Sequence, residues 1–293
     1  MSYLLAKSFF SIVSKLERDK NLKIGESIGS LFWNLGYRKK VILKNLDIAF
    51  PEKTLDWKLN IGKKSLQNLG RVLTEFPKIP EYIKTGYIEE IFEIKKGKEL
   101  LEKEEGKILV SAHIGNWELA GAGLSYNIEG MVSLAYRMKN KKLNDLITKI
   151  RQDSGIKIIF HNQPLKDFLK ALKEKKTISF LVDQNTLTHR GIFVDFFGLE
   201  ASTVTFPAKL ALKFNKDIIF GYSYYDKNTK KVFLELENID FEKTGDYEKD
   251  LKNLVQAYTK KVEKAVKKHP EQYFWTHKRW KTRPKGEPEN IYK

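Results

Sequence analysis

The sequence predicts an α/β protein with a mostly parallel central sheet and flanking helices, preceded by a helical N-terminal section. From about residue 87, short runs rich in β-branched and aromatic residues alternate with amphipathic runs of helical period. This alternation is typical of parallel sheets. Before residue 87 the apolar residues recur at helical spacing. No linker rich in Gly, Ser or Pro divides the chain, so we expect one integrated domain after residue 20.

Residues 1–20 predict an amphipathic helix. One face would carry Leu5, Ala6, Phe9, Ile12, Val13 and Leu16. The opposite face would carry Lys7, Ser8, Ser11, Lys15 and Arg18. Such a helix can lie in the plane of a membrane with its lysines near the headgroups, or it can pack on its own domain. The pattern leaves both open, and we assign residues 1–20 to membrane association.

Residues 21–293 divide into a helical section (about 21–86), an α/β core (about 87–240) and a C-terminal helix with a basic-aromatic tail (about 241–293). The predicted helices are Ser27–Ile48, Leu55–Glu75, Asn116–Asn127, Lys141–Ser154, Leu165–Lys175, Thr203–Phe214 and Tyr247–Lys268. The predicted strands are Ile88–Ile94, Lys107–Ala112, Met131–Tyr136, Ile156–Phe160, Thr177–Val182, Ile218–Tyr224 and Val232–Leu236. We expect the last strand to run antiparallel to its neighbour.

Composition narrows the function classes. With 41% hydrophobic residues the chain can bury a core, and with no Cys it has no disulfide, thiolate metal site or Cys nucleophile. The 54 Lys and Arg against 37 Asp and Glu give a net charge of +17, which indicates an anionic partner: nucleic acid, phospholipid or an acidic protein. No apolar stretch approaches the roughly 18 residues of a membrane span, and no signal peptide is evident. We therefore expect the protein on the cytoplasmic side.

A strand-to-helix corner at His113 carries the best local constellation for chemistry. A buried strand runs into His113, Gly115 and Asn116 turn the chain, and a helix begins before Glu118. In parallel α/β sheets such a corner faces the ligand crevice. With a turn between them, we expect Glu118 to fold back toward the imidazole, hold it in one tautomer and support His113 as a general base. A structural His bonded to a nearby carbonyl is the alternative.

Further polar residues follow the neighbouring strands. Arg137 ends one strand, Asp183 and Gln184 end another, and Arg190 follows in a loop. Two Arg beside the His corner suit the binding of a phosphate or an oxyanion, although a solvated surface charge is the commoner fate. Asp183 has a structural alternative, in which it pairs with an Arg or caps a turn.

These blocks, in this order, resemble the bacterial lipid A biosynthesis late acyltransferases (the lauroyl/myristoyl acyltransferase family). The resemblance covers about residues 40–285. The matching blocks are Asn45–Glu52, His113–Glu118, Tyr136–Arg137, Asp183–Gln184, Gly191–Gly198 with Ala201 and Thr203, and Pro270–Pro284. The resemblance implies a glycerol-phosphate-acyltransferase-like enzyme on the cytoplasmic face of the inner membrane. It would transfer an acyl chain from acyl carrier protein, or from coenzyme A, to a hydroxyl of an anionic, Kdo-linked lipid A precursor.

The resemblance also implies residue roles. His113 and Glu118 match the catalytic pair, and Arg137 matches an Arg near the active site. We expect Arg137, Arg190, Asn116, Asp183 and Gln184 to bind substrate, with no metal and no cofactor.

The sequence alone leaves three alternatives to this function open. Residues 251–293 carry 12 Lys and Arg against 4 Glu, with interleaved aromatic residues, a mixture that also binds single-stranded nucleic acid. No nucleic-acid-binding signature accompanies it, and we expect no nucleic acid partner. An acyltransferase for another glycolipid or phospholipid, such as a mannosylated phosphatidylinositol, is a nearer rival. A hydrolase that uses the same His is a third.

Overall fold

The computed structural model describes residues 3–101, 105–128, 130–288 and 291–292. Its strands are β1 (Phe92–Lys96), β2 (Ile108–Ser111), β3 (Met131–Ala135), β4 (Ile156–Phe160), β5 (Thr177–Leu181), β6 (Gly191–Phe196), β7 (Leu199–Val204), β8 (Ile218–Tyr225) and β9 (Val232–Asn238). Its helices are α1 (Tyr3–Val13), α2 (Arg18–Asn34), α3 (Lys39–Ala49), α4 (Leu55–Glu75), α5 (Ile79–Thr85), α6 (Ile88–Ile91), α7 (Trp117–Asn127), α8 (Lys141–Asp153), α9 (Leu165–Lys173), α10 (Phe206–Phe214) and α11 (Tyr247–Lys268).

Seven strands form one mixed sheet in the order β1-β9-β8-β2-β5-β3-β4. All neighbours are parallel except β8 and β9. The mostly parallel sheet and the antiparallel β9 are therefore confirmed. Because β2 lies between β8 and β5, the residues that follow β2 and β5 come together at one edge of the sheet.

The sheet is covered on both faces. Along β2, Ile108 and Val110 face a core built with α3, α4, α9, α10 and α11, while Leu109 faces a second core built with α1, α5, α7 and α8. This alternation follows from the period of two in a strand. No helix among the described residues is long and apolar enough to cross a bilayer.

One strand prediction and one helix prediction need correction. Residues Ile88–Ile91 form the short helix α6, because Ile88 and Ile91, three residues apart, are both buried while Glu89 and Glu90 between them are exposed. The helix predicted from Thr203 begins at Phe206. Residues 203 and 204 instead belong to β7, which pairs with β6 in a hairpin that is absent from the predicted strands.

The N-terminal section also differs from expectation. The single helix predicted over Ser27–Ile48 is two helices, since Gly36 and Arg38 adopt positive φ and break the chain's helical path. The first helix ends at Val13. It packs on the domain through Ala6, Phe10 and Val13, and it leaves Leu4, Leu5 and Ile12 exposed. Arg18, expected on its polar face, begins α2 and is buried.

The basic-aromatic tail folds into the protein. Tyr273, Trp275 and Trp280 are buried, and the Trp275 indole donates a hydrogen bond to the carbonyl of Pro270. Stacking on single-stranded nucleic acid requires exposed rings. The aromatic residues that favoured the nucleic-acid alternative are therefore core residues.

Candidate active site

The turn between β2 and α7 carries His113, as the sequence predicts. Gly115 has a φ of +65°, and a Cβ there would lie 2.4 Å from the backbone oxygen of Ser223, so this position requires glycine. Asn116 then caps α7, because its side-chain oxygen accepts a hydrogen bond of 3.1 Å from the Leu119 N–H. The turn directs His113 to the carboxyl edge of the sheet.

Helix α4 holds this turn from one side. The Asn68 amide donates to the carbonyl of Gly115 at 2.8 Å, and Glu75 accepts from the Asn116 amide at 2.8 Å. The second oxygen of Glu75 pairs with the Arg18 guanidinium at 2.5 Å. Asn116 was expected to bind substrate. Its side chain is instead buried and bonded at both polar atoms to protein groups, so it positions the turn.

Asp183, directly after β5, is the carboxylate that contacts the imidazole. The distance between Asp183 Oδ1 and His113 Nδ1 is 2.8 Å, and the Asp183 side chain is buried. Burial alone would raise the pKa of Asp183, but the charge of His113 and the hydrogen bond to it hold that pKa below its ordinary value. An ionised Asp183 accepts a hydrogen bond from Nδ1–H. Nε2 is then left unprotonated and able to act as a base.

Glu118 lies elsewhere than expected. Its carboxylate accepts two hydrogen bonds from Arg151 in α8, at 2.6 and 3.0 Å, and one from the Trp117 indole. Burial opposes ionisation, but the charge and hydrogen bonds of Arg151 outweigh it and keep the pKa of Glu118 below its ordinary value, with a smaller contribution from His113. The prediction that Glu118 sets the tautomer of His113 is therefore corrected, because the first turn of α7 points Glu118 toward α8.

Aromatic rings and one amide surround the imidazole. The ring of Trp117 lies 5.0 Å from that of His113 and the ring of Phe274 lies 5.7 Å away, measured between centroids. The Gln184 side-chain nitrogen lies 3.4 Å from His113 Nε2. Gln184 therefore lies beside His113 Nε2, and its contact with substrate stays a prediction.

A cavity of about 830 Å³ is lined by His113 and Gln184 and runs between α7 and the sheet. Small residues leave the space, and those that line it include Gly121, Ser133, Ser179 and Gly221. Apolar residues line the same region, among them Leu109, Leu124, Met131 and Ile156. Apolar walls with a few polar groups at one place are typical of a pocket that holds an alkyl chain beside a reactive centre.

Cationic side chains line the cavity. Arg190 and Lys209 line it, and neither has an acidic partner among the described residues. His161 also lines it and stacks on Tyr136, at 4.5 Å between ring centroids. Arg137 is exposed and lies 3.9 Å above the ring of Phe160, outside the cavity wall. Arg190 thus lies in the cavity wall and Arg137 lies beside the cavity, and the binding of substrate by either residue stays a prediction.

The sequence did not reveal Arg151, His161 or Lys209. Each lies in or beside an amphipathic element among many other cations, and only the packing of the helices and loops on the sheet brings it to the cavity. Among the residues that the structure describes, no group of three His, Asp or Glu side chains is arranged to hold a metal ion.

The C-terminal tail fixes the segment that follows β5. The Asn185 N–H donates to His277 Nε2 at 3.0 Å, while Asn185 and Thr282 exchange two further hydrogen bonds. The Tyr273 hydroxyl donates to the carbonyl of Asp183 at 3.3 Å. Burial lowers the pKa of His277 to about 4, so this ring is neutral at physiological pH and can accept the hydrogen bond.

An oriented imidazole beside an apolar cavity suits an enzyme that activates a hydroxyl group while an alkyl chain lies next to it, which is the class of acyltransferases. The comparison with known families agrees. The chain belongs to the bacterial lipid A biosynthesis acyltransferases, whose family model matches residues 2–282.

Several relatives carry related names. The chain is 24% identical over 275 residues to the lipid A biosynthesis lauroyltransferase of Escherichia coli K12, which covers 91% of this chain and 87% of that enzyme. It is 25% identical over 261 residues to the palmitoleoyltransferase of the same organism, with 85% and 81% covered. A phosphatidylinositol mannoside acyltransferase of Mycolicibacterium smegmatis is 28% identical over 117 residues, 39% of this chain and 38% of that enzyme.

Among solved structures, a 1-acyl-sn-glycerophosphate acyltransferase from Thermotoga maritima is similar at a TM-score of 0.34 and 13% identity. The match covers 83% of this chain and 98% of that one.

Protonation of His277 should destabilise the fold. The unfolded chain binds a proton on this ring near pH 6.5, whereas the folded chain binds it only near pH 4, so stability is full above pH 6.5 and falls as the pH drops toward 4. Between pH 7 and 4.5 we expect His277 to account for about 2 kcal/mol of lost unfolding free energy. His277→Gln keeps an acceptor for the Asn185 N–H but cannot take up a proton. Its unfolding free energy should therefore fall by about 2 kcal/mol less than that of the unaltered protein between these pH values. Urea unfolding at both pH values measures it, and an equal loss in the variant would refute the assignment.

Proposed function

We propose that the protein transfers a fatty acyl chain from the thioester of acyl carrier protein to a hydroxyl of a Kdo-linked lipid A precursor, with His113 as general base. The observation that carries this proposal is the His113–Asp183 contact beside the apolar cavity. It supplies a base of fixed tautomer next to a space for the acyl chain. The thioester of coenzyme A is the alternative donor.

The proposed reaction begins when His113 Nε2 takes the proton of the acceptor hydroxyl. The hydroxyl oxygen attacks the thioester carbonyl, and the tetrahedral intermediate then breaks its C–S bond. The thiolate leaves with the proton from the imidazolium. Asp183 stabilises the imidazolium through its hydrogen bond, and the ionised Glu118 stabilises it through space. No covalent enzyme intermediate, metal or cofactor takes part in this scheme.

Charge in the intermediate falls on the former carbonyl oxygen. The Gln184 amide nitrogen lies 3.4 Å from Nε2, and Arg190 lines the same cavity, which supports both as donors to this oxygen. Donors aimed at a developing oxyanion are often the largest single contribution to catalysis. We assign Gln184 and Arg190 to this role. Arg137 is assigned to the anionic groups of the acceptor, which it meets outside the cavity.

The cavity between α7 and the sheet is proposed to hold the acyl chain. At one place in its wall Gly121 lies against two apolar side chains: a Cβ on Gly121 would lie 3.4 Å from the Ile156 side chain and 3.5 Å from that of Met131. These three residues therefore leave little space between them, and the proposed acyl chain would end against them. Chain length would be limited where they meet.

The exposed face of α1 and the cationic surface suit an enzyme bound peripherally to the cytoplasmic face of the inner membrane. Leu4, Leu5 and Ile12 offer apolar side chains to a bilayer, and unpaired Lys and Arg attract anionic headgroups and an acidic carrier protein. A second candidate acceptor is another glycolipid, because the mannoside acyltransferase named above shares part of its sequence with this chain.

The acceptor is tested by offering purified protein an acyl carrier protein thioester with either a Kdo-linked lipid A precursor or a phosphatidylinositol mannoside. We expect the mass of one acyl chain to be added to the first, since the family model covers nearly the whole chain. Mass spectrometry of the extracted lipids reads the result. Addition to the mannoside alone would favour the second acceptor, and release of free fatty acid alone would indicate a hydrolase.

Substitutions of His113, Asp183 and Glu118 should show that the two carboxylates have different roles. His113→Ala should lower kcat/KM by about a thousandfold, and Asp183→Asn by at least about a hundredfold, because the base loses its site or its fixed tautomer. Glu118→Gln should cost less, since it acts only through space. Asp145→Asn, which removes an exposed charge from α8, is the matched control. Nitrogen NMR of His113 should show the tautomer altered in Asp183→Asn and retained in Glu118→Gln; the reverse would contradict the assignment.

Filling the cavity at Gly121 should shorten the preferred acyl chain. Gly121→Leu places a side chain against Ile156 and Met131, and each methylene that loses its apolar environment costs about 0.8 kcal/mol, about fourfold in kcat/KM. The measurement is competition between acyl donors of different length. Gly121→Ala adds one carbon at ordinary contact distance and should leave the preference nearly unchanged. Equal loss for all chain lengths in Gly121→Leu would place the acyl chain elsewhere.

A further inference from the structure

Helix α2 has apolar side chains on two opposite faces. Its inner face packs closely on α4 through glycines: a Cβ on Gly29 would lie 2.2 Å from the carbonyl oxygen of Leu66. A helix on a water-facing surface ordinarily has a polar outer face. The outer face of α2 instead carries apolar residues at positions i, i+4, i+7 and i+11. This spacing places them on one side of a helix. We call this set the α2 stripe, and it consists of Ile24, Ile28, Leu31 and Leu35.

The α2 stripe is open to solvent in this structure. Leu35 is 72% exposed and Leu31 is 55% exposed. At the end of the helix Phe32 and Tyr37 continue the apolar surface, with their rings 5.4 Å apart and both largely exposed. Scattered exposed apolar residues are ordinary, but a contiguous group marks a surface that contacts something apolar.

Positive charges follow the stripe directly. Arg38, Lys39 and Lys40 are consecutive, and Lys44 lies one turn further along α3. Among the described residues, no carboxylate lies within ion-pair distance of these four. An apolar surface beside unpaired cations matches the boundary layer of an anionic bilayer, where alkyl chains accept the apolar residues and phosphates pair with the cations. Aromatic residues such as Tyr37 are also favoured at that depth.

We propose that the α2 stripe and the turn at residues 35–40 insert into the boundary layer of an anionic phospholipid bilayer. This contact is separate from that of α1. One contact would let the protein pivot on the membrane, whereas two fix its orientation. The inference concerns contact with a bilayer and not acyl transfer, so it stands or fails independently of which acceptor the enzyme uses.

The absence of Cys makes a clean test available. Leu35→Cys introduces the only thiol of the chain, which is labelled with a fluorophore sensitive to polarity. With vesicles of phosphatidylcholine containing roughly one third phosphatidylglycerol we expect a blue shift, and quenching by spin labels attached to the lipid. Lys252→Cys, on an exposed and polar part of α11, is the matched control and should show neither.

Removing cations should weaken binding to the anionic vesicles. Lys40→Gln with Lys44→Gln should reduce the partition coefficient roughly fivefold for each charge removed. Lys249→Gln with Lys252→Gln removes the same charge from α11 and should have little effect. Sedimentation with vesicles measures both, and circular dichroism verifies that each variant is folded.

Three outcomes would overturn the proposal. The label at position 35 could stay in water while the protein sediments with vesicles, which would leave binding to α1 alone. The label could shift with protein concentration in the absence of lipid, which would identify a second copy of the chain as the occupant. Failure of the full chain to bind the anionic vesicles would also refute it. None of these results depends on acyl transfer, and loss of transfer would change none of them.

Discussion

The backbone of the turn from His113 to Gly115 is held from several directions, and the active site depends on this. The carbonyl of His113 accepts a hydrogen bond from the Phe274 N–H, and the carbonyl of Ile114 accepts one from the Ser223 hydroxyl. The N–H of Gly115 donates to the carbonyl of Gln272. The carbonyl of Gly115 is bound by the α4 amide described above. These four bonds come from three parts of the chain: two from the tail, one from β8 and one from α4. The helical section, the sheet and the tail therefore act together to place one imidazole.

The two carboxylates near His113, Asp183 and Glu118, have different hydrogen-bond partners and therefore different effects on the ring. Asp183 is buried against Nδ1 and sets the direction of the ring, whereas Glu118 is neutralised in large part by Arg151. A second unpaired negative charge beside the ring would favour the protonated imidazole, which cannot act as a base. The bidentate pair with Arg151 limits that effect. It also forms part of the cavity wall, so it joins α7 to α8 along the path of the proposed acyl chain.

Most of the fold could be predicted from the sequence because the period of the apolar residues changes clearly from 3.6 to 2. Helices Leu55–Glu75 and Tyr247–Lys268 match the structure residue for residue. Errors arose where local pattern and tertiary context disagree, as at the positive-φ turn that divides Ser27–Ile48. For the site, His113 was found because strand, turn and helix are adjacent in sequence. Its partner Asp183 is 70 residues away, and only the pairing of β2 with β5 brings it close.

The tail contacts also set an order of events during synthesis of the chain. Residues 272–274 supply hydrogen bonds to the turn at His113, and His277 and Thr282 hold the segment after Asp183. These residues emerge from the ribosome long after the sheet. A nascent chain that already contains His113, Asp183 and the cavity thus lacks the contacts that align them. The alignment of His113 with Asp183 is therefore supported by residues that lie about 90 to 170 positions further along the chain, and it cannot form from the sheet alone.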